Sequence, residues 1–132
     1  LADEDIGAIK AIIATTLDWA ADADPDDPRV AVQRDNLARL RAAGWTIVIG
    51  TDLFRKTART EVELVVRLRL MTNLELLRAW SIDTPRSIFP GRKFATFDNG
   101  AEASFLVLSG DPLGDSSQNH AIVLRSKLGP RV

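Results

Sequence analysis

The apolar run at residues 45–49 (WTIVI) is the sequence feature that most constrains the fold. It is rich in β-branched residues and almost free of polar ones, so we expect a strand with both faces buried. Such strands are typical of parallel sheets, in which other layers cover each face. A helix is predicted just before it, over residues 29–43, and Gly44 is its expected C-terminal stop. Helix, glycine and buried strand together predict half of a βαβ unit.

Further helices are predicted on both sides of this unit. Residues 3–20 carry apolar side chains at helical spacing, which predicts an amphipathic helix with Ile6, Ile9, Ile12, Ile13, Leu17 and Ala20 on one face. An acidic, proline-containing loop is expected over residues 22–28. Capping-box sequences at residues 60–63 and 72–75 predict helices that reach about Leu70 and Trp80. Thr84 before Pro85 predicts a short helix over residues 85–88.

The character of the sequence changes near residue 89. Strands are predicted at residues 94–97, 103–109 and 121–126, separated by turn sequences rich in Gly, Asp, Asn and Pro. A domain boundary is therefore expected near residues 88–92, with one domain over residues 1–88 and another over residues 89–132.

Composition excludes several kinds of function. The 132 residues include no Cys and one His, which excludes a cysteine zinc site, a cysteine nucleophile and a multi-histidine metal site within this sequence. A net charge of -1 argues against a dedicated nucleic-acid partner. No apolar run approaches the roughly 20 residues of a membrane helix, and no signal-peptide pattern follows Leu1. We therefore expect a soluble protein in an unidentified compartment, cut from a longer chain.

Three segments in sequence order resemble the C-terminal part of the amidohydrolase superfamily, in the branch of imidazolonepropionase-like and prolidase-like enzymes. Residues 36–52 (NLARLRAAGWTIVIGTD) are similar to the helix, last barrel strand and "GTD" of that family. Residues 71–86 (MTNLELLRAWSIDTPR) are similar to its "MTP" helix pair, and residues 100–113 (GAEASFLVLSGDPL) to a strand and turn of its small β-sandwich. The resemblance depends on the order and spacing of all three segments.

The sequence departs from the family pattern at three framework positions. Ser104 stands where the family usually has Asp, Ala95 where it has Gly, and Asp83 where it has Asn. We interpret these differences as marks of a subfamily, since the positions belong to turns and packing.

The resemblance implies an α/β fold, namely the C-terminal part of a (β/α)8 TIM barrel plus strands of the small β-sandwich. Residues 1–88 would hold the last helices and last strand of the barrel, and residues 89–132 part of the sandwich subdomain. It also implies a metal-dependent hydrolase that cleaves an amide, peptide or cyclic C–N bond with metal-activated water. The expected cofactor is a divalent metal, Zn2+ first among the candidates.

Asp52 is the candidate catalytic residue. It follows the predicted strand at its carboxyl end, where the active sites of such barrels lie. The resemblance implies that Asp52 is a metal ligand and the general base for the attacking water. From spacing alone, a loop carboxylate with local turn hydrogen bonds explains it better. Arg55 is a candidate for binding a substrate carboxylate, although a solvated basic loop explains it equally well. His120 is interpreted as a surface or edge histidine.

The other metal ligands of the family belong to earlier barrel strands, outside this sequence. We therefore expect the chain alone to be inactive and to need a partner, either the missing N-terminal barrel portion or another copy of itself. The substrate would be a small molecule or a peptide. Two alternatives remain: a non-catalytic fragment or oligomerising module related to the family, and an α+β binding domain that only mimics its pattern.

Overall fold

The computed structural model describes residues 11–51 and 57–127, which form a mixed α/β structure. The first sheet is parallel and pairs β1 (Ile12–Thr15) with β2 (Thr46–Ile49); the second is antiparallel and pairs β3 (Ser104–Leu108) with β4 (Ile122–Lys127). The α-helices of these residues are α1 (Pro28–Ala42), α2 (Ala58–Arg67), α3 (Asn73–Arg78) and α4 (Thr84–Ile88). None of the helices in these two ranges combines the length and the apolar character needed to cross a bilayer.

The parallel sheet confirms the prediction made from residues 45–49. Ile12 aligns with Thr46 and Thr15 with Ile49, and α1 connects the two strands. Every residue of β2 after Thr46 is buried. Helix α1 and β2 are the half of a βαβ unit that the sequence predicts, and β1, which the sequence analysis assigned to a helix, provides the other strand.

Helix α1 begins and ends as its sequence predicts. The Asp27 carboxylate accepts a hydrogen bond of 2.8 Å from the Arg29 N–H, which satisfies one of the free donors of the first turn. At the other end, Gly44 has φ +83°, a conformation that glycine adopts without steric cost. The Trp45 N–H then donates to Leu40 O at 3.0 Å, which closes a Schellman motif.

The helix predicted over residues 3–20 is wrong for its described part. Residues 12–15 form β1, a single 3-10 turn covers Asp18–Ala20, and residues 1–10 lie outside the described residues. The apolar spacing matched a helix, but Ile12, Ile13 and Thr15 are β-branched and gain hydrogen bonds by pairing with β2. Trp19 is 47% exposed and lies under the Arg29 guanidinium.

The two predicted capping boxes have different outcomes. The box at residues 72–75 is confirmed, because Thr72 and Glu75 bond to each other's backbone N–H groups in both directions. The box at residues 60–63 is wrong: α2 begins after Thr57, so Thr60 already lies inside the first turn. The earlier start places Glu61 and Val62 on the buried face of the helix.

Arg69, two residues after the end of α2, has a strained backbone conformation. Arg69 has φ +52° and closes a Schellman motif in which the Leu70 N–H donates to Val65 O at 3.0 Å. A non-glycine residue in this left-handed region destabilises the folded chain by about 1–2 kcal/mol. Glycine avoids this strain but loses more conformational entropy on folding, so the net gain from glycine is smaller. We expect Arg69→Gly to raise the free energy of unfolding by about 0.5–1 kcal/mol, measured by urea denaturation. Arg69→Ala, which keeps the strain, should give no gain.

Thr84 acts differently from the helix cap that its sequence predicts. A π-helical turn over Ala79–Asp83 precedes α4, and the Thr84 hydroxyl donates to Ala79 O at 2.6 Å. The same oxygen accepts the Ile49 N–H at 2.8 Å. Thr84 therefore takes a position on the edge of β2 opposite β1, where a further strand would otherwise bond.

We expect Thr84→Val to destabilise the protein by about 1–3 kcal/mol, because it leaves the Ile49 N–H without an acceptor. Thr84→Ser keeps the hydroxyl and should retain most of the stability. Thermal denaturation of both variants measures the difference, and a Thr84→Val variant as stable as the unaltered chain would show that the hydroxyl does not matter.

The C-terminal part confirms two of three predicted strands. β3 and β4 match the segments at residues 103–109 and 121–126, whereas residues 94–97 form bends instead of a strand. Ala95 has φ +58°, which an extended strand cannot contain, and this is the position where the family has glycine. The domain boundary near residues 88–92 stays a prediction.

The main core lies between the parallel sheet and the helices. Its most deeply buried side chains come from the segments around β1, α1, α2 and α3, and they are Leu17, Val30, Leu37, Val62, Val65, Leu68, Leu70 and Leu76.

Two arginines donate hydrogen bonds to backbone carbonyls of the loops next to this core. Arg67 donates to Ala20 O, Ala21 O and Ala23 O at 2.6–3.0 Å, and Arg34 donates to Leu68 O and Arg69 O at 2.9 Å.

Candidate functional site

The candidate site lies at the carboxyl end of the parallel sheet. Asp52 and Arg55, the two predicted site residues, lie outside the described residues. The described structure ends next to them at Thr51 and begins again at Thr57. What it defines is the base of the site: the last residues of β1 and β2 and the side chains packed against them.

Gly50 brings the ends of the two strands into close contact. A Cβ atom at this position would lie 3.0 Å from Thr15 O and 3.2 Å from the Ala14 Cβ. Any side chain here would force the strand ends apart, because the first contact is with backbone. The glycine of the "GTD" sequence thus has a packing reason that holds with or without catalysis.

Glu61 is a site residue that the sequence reasoning missed. It lies in the first turn of α2, is only 3% exposed, and its Oε2 accepts the Leu17 N–H at 3.1 Å. Its other carboxylate oxygen, Oε1, and the buried Thr15 hydroxyl form no hydrogen bond. A signal was present in the sequence, because Glu61 shares the apolar stripe of α2 with Leu64, Val65 and Leu68.

Burial raises the pKa of the Glu61 carboxyl above its ordinary value. The hydrogen bond from the Leu17 N–H and the nearby Thr15 hydroxyl act in the opposite direction, and the negative charge of Asp18 adds to the rise. The carboxyl end of the sheet therefore contains a buried acid whose ionisation is costly.

His120 lies between Trp80 and Glu63. It ends the 3-10 turn Ser116–His120, packs edge-on against Trp80 with ring centroids 6.3 Å apart, and faces the Glu63 carboxylate at 3.8 Å. Its side chain is 28% exposed, and β4 begins two residues later.

A groove lies at the amino end of β2. It has a volume of about 360 Å³, and Trp45, Thr46 and Ile47 form one wall. Arg41 and Glu75, which form an ion pair of 3.0 Å, lie on its other side. The last residues of β2, next to Thr51, do not line this groove.

The described residues do not form a metal centre among themselves. In residues 11–51 and 57–127, no three His, Cys, Asp or Glu side chains come together in a group that could hold a metal ion. A zinc site needs at least three protein ligands, and Asp52 can provide only one. The described residues therefore do not provide a set of further ligands that Asp52 could complete.

No protein-family model, no curated protein and no solved structure matches this chain.

Proposed function

We propose that this chain is the C-terminal portion of a metal-dependent amidohydrolase that hydrolyses an amide, peptide or cyclic C–N bond. In this proposal β1 and β2 are the last two strands of a (β/α)8 barrel, and residues 89–132 belong to a small β-sandwich. Asp52 is a metal ligand and the general base, and Arg55 binds a carboxylate of the substrate. A divalent metal, Zn2+ first, would lower the pKa of the attacking water.

One observation supports this proposal most: the "GTD" sequence directly follows a buried parallel strand. Parallel strands joined through a helix are the building unit of such barrels, whose active sites lie at the carboxyl ends of the strands. Because Gly50 has no side chain, the ends of β1 and β2 can lie close together. A carboxylate two residues later would leave the sheet at the edge where the barrel chemistry takes place.

A closed barrel needs a strand on each side of β2, and the described sheet has one on the β1 side. The proposal therefore requires a partner strand from the N-terminal barrel portion, which would replace Thr84 as the acceptor for the Ile49 N–H. The partner would also supply the missing metal ligands. The chain alone should then be inactive.

Zinc binding tests this proposal. Isothermal titration of the chain alone with Zn2+ should detect no tight stoichiometric site. The longer reading frame that encodes the preceding residues should bind zinc and hydrolyse amide substrates, and Asp52→Asn in that protein should lower zinc content and abolish turnover. Asp35→Asn is the matched control, since Asp35 is exposed on α1. Tight zinc binding by this chain alone, or full activity of Asp52→Asn, would overturn the proposal.

A second candidate function, an oligomerising module, is favoured by the exposed hairpin of β3 and β4. Val107 lies opposite Leu124 on one face and both are exposed, at 43% and 48%. Leu106 points to the other face and is 56% exposed. Isolated two-stranded hairpins are marginally stable, so a partner surface would stabilise this one.

Sedimentation measures whether the hairpin associates. An oligomer that dissociates on Leu124→Lys, but not on Val32→Lys at an exposed position of α1, would support the module. A monomer at all concentrations would exclude association through this hairpin.

A further inference from the structure

We propose that Glu61 is a proton-operated latch: its neutral carboxyl joins the first turn of α2 to the end of β1, and its ionisation loosens this joint. The proposal concerns a conformational property of the chain and does not depend on the hydrolase function.

The latch joins two distant parts of the chain. Glu61 and Leu17 are 44 residues apart, and the 3.1 Å hydrogen bond between the Leu17 N–H and Oε2 is buried. The Leu17 side chain is itself 1% exposed and belongs to the core. The first turn of α2 is therefore held to the turn after β1 by this buried contact and by apolar packing, while Arg67 at the other end of the helix bonds to Ala20 O, Ala21 O and Ala23 O.

The surroundings of Glu61 favour the neutral form. Glu61 is 3% exposed, and a buried carboxylate carries a large desolvation cost, which outweighs the opposing effects of the Leu17 N–H and the Thr15 hydroxyl. Among the described residues, the charged group that acts on it is Asp18, of the same sign. A protonated Oε1 could instead donate to the Thr15 hydroxyl and would carry no charge.

The free-energy cost of ionising Glu61 falls if water reaches its carboxylate. This requires the first turn of α2 to move away from the turn after β1. Thr15 is part of this joint, and its carbonyl lies close to Gly50, where an added Cβ would come within 3.0 Å of the carbonyl oxygen. Loosening the latch would therefore reach the carboxyl end of the sheet. The group binds its proton more tightly when folded, so the stabilisation is complete below the ordinary glutamate pKa and is lost as the pH rises through the raised pKa.

Amide hydrogen exchange tests the latch. Across the interval between the ordinary and the raised pKa, the protection factor of the Leu17 amide should fall tenfold per pH unit. The Leu37 amide in α1 should not follow this fall, because it lies outside the joint. Glu61→Gln keeps the size and stays neutral, so its Leu17 protection should be independent of pH. Glu63→Gln, an exposed carboxyl on the same helix, should keep the original profile.

A second measurement covers the case in which Glu61→Gln does not fold. The NMR shift of the Glu61 carboxyl carbon, followed against pH in the unaltered chain, should titrate above the ordinary glutamate value. Titration at or below the ordinary value would overturn the proposal. The same conclusion would follow if Leu17 protection did not change with pH, or if Glu61→Gln changed in parallel with the unaltered chain.

Discussion

Replacement of Leu76 by alanine is expected to cost about 2–5 kcal/mol of unfolding free energy. Leu76 lies in α3, is 1% exposed, and packs into the core that α3 shares with the parallel sheet and α2. Its truncation removes apolar contacts and leaves a cavity that neighbouring side chains fill only in part. For a domain whose total stability is about 5–15 kcal/mol, such a loss is a large fraction. Urea denaturation measures it directly.

Leu74 offers a matched control on the same helix. It lies two residues before Leu76 and is 64% exposed, so Leu74→Ala removes the same atoms from a solvated position. We expect it to change stability by less than about 0.5 kcal/mol. Similar losses in the two variants would show that α3 is not packed on the core in the described way.

Arg67→Met is the second substitution for which we expect a large effect, about 2–3 kcal/mol. The Arg67 guanidinium donates to three backbone carbonyls of the loop after β1, those of Ala20, Ala21 and Ala23. Methionine keeps most of the aliphatic stem but donates no hydrogen bond. Ala20 and Ala23 are buried, so water cannot replace all of the lost donors without opening the loop.

Two other measurements define the role of Arg67. Arg67→Lys keeps the charge but not the planar fork of donors, so it should recover only part of the loss. Arg59→Met removes an exposed arginine of the same helix, paired with Glu63 at the surface, and should cost less than about 0.5 kcal/mol. An Arg67→Met variant as stable as Arg59→Met would show that the Arg67 hydrogen bonds do not stabilise the loop after β1. Proteolysis within residues 18–27 should accelerate in Arg67→Met alone.

Local signals in the sequence predicted the helix and strand on either side of Gly44 and the start of α3. The helix before Gly44, the buried strand after it and the capping box at residues 72–75 each depend on a few neighbouring residues, and each is confirmed. These features involve hydrogen bonds within one turn or a glycine at φ above zero. Such bonds form in nearly the same way whatever the rest of the chain does.

The errors occur where distant residues compete with local pattern. Residues 12–15 satisfy a helical spacing, yet they pair with a strand that begins at Thr46. The capping sequence at residues 60–63 is not used, because an earlier start of α2 buries Val62. Asp52 and Arg55 could be named only by resemblance, and they remain predictions because they lie outside the described residues.

Residue order alone was sufficient to place a buried parallel strand before the Gly50–Thr51–Asp52 sequence, because β-branched apolar runs without polar alternation are stable only with both faces covered. It could not show that Glu61 is buried beside Leu17, or that Thr84 bonds to the edge of β2. A glutamate in an apolar stripe can extend to solvent or be buried. A threonine hydroxyl can bond to the first turn of a helix or to a backbone N–H at the edge of a strand. Contacts between residues 35–44 positions apart decide between these outcomes, and such contacts exist only in the folded chain.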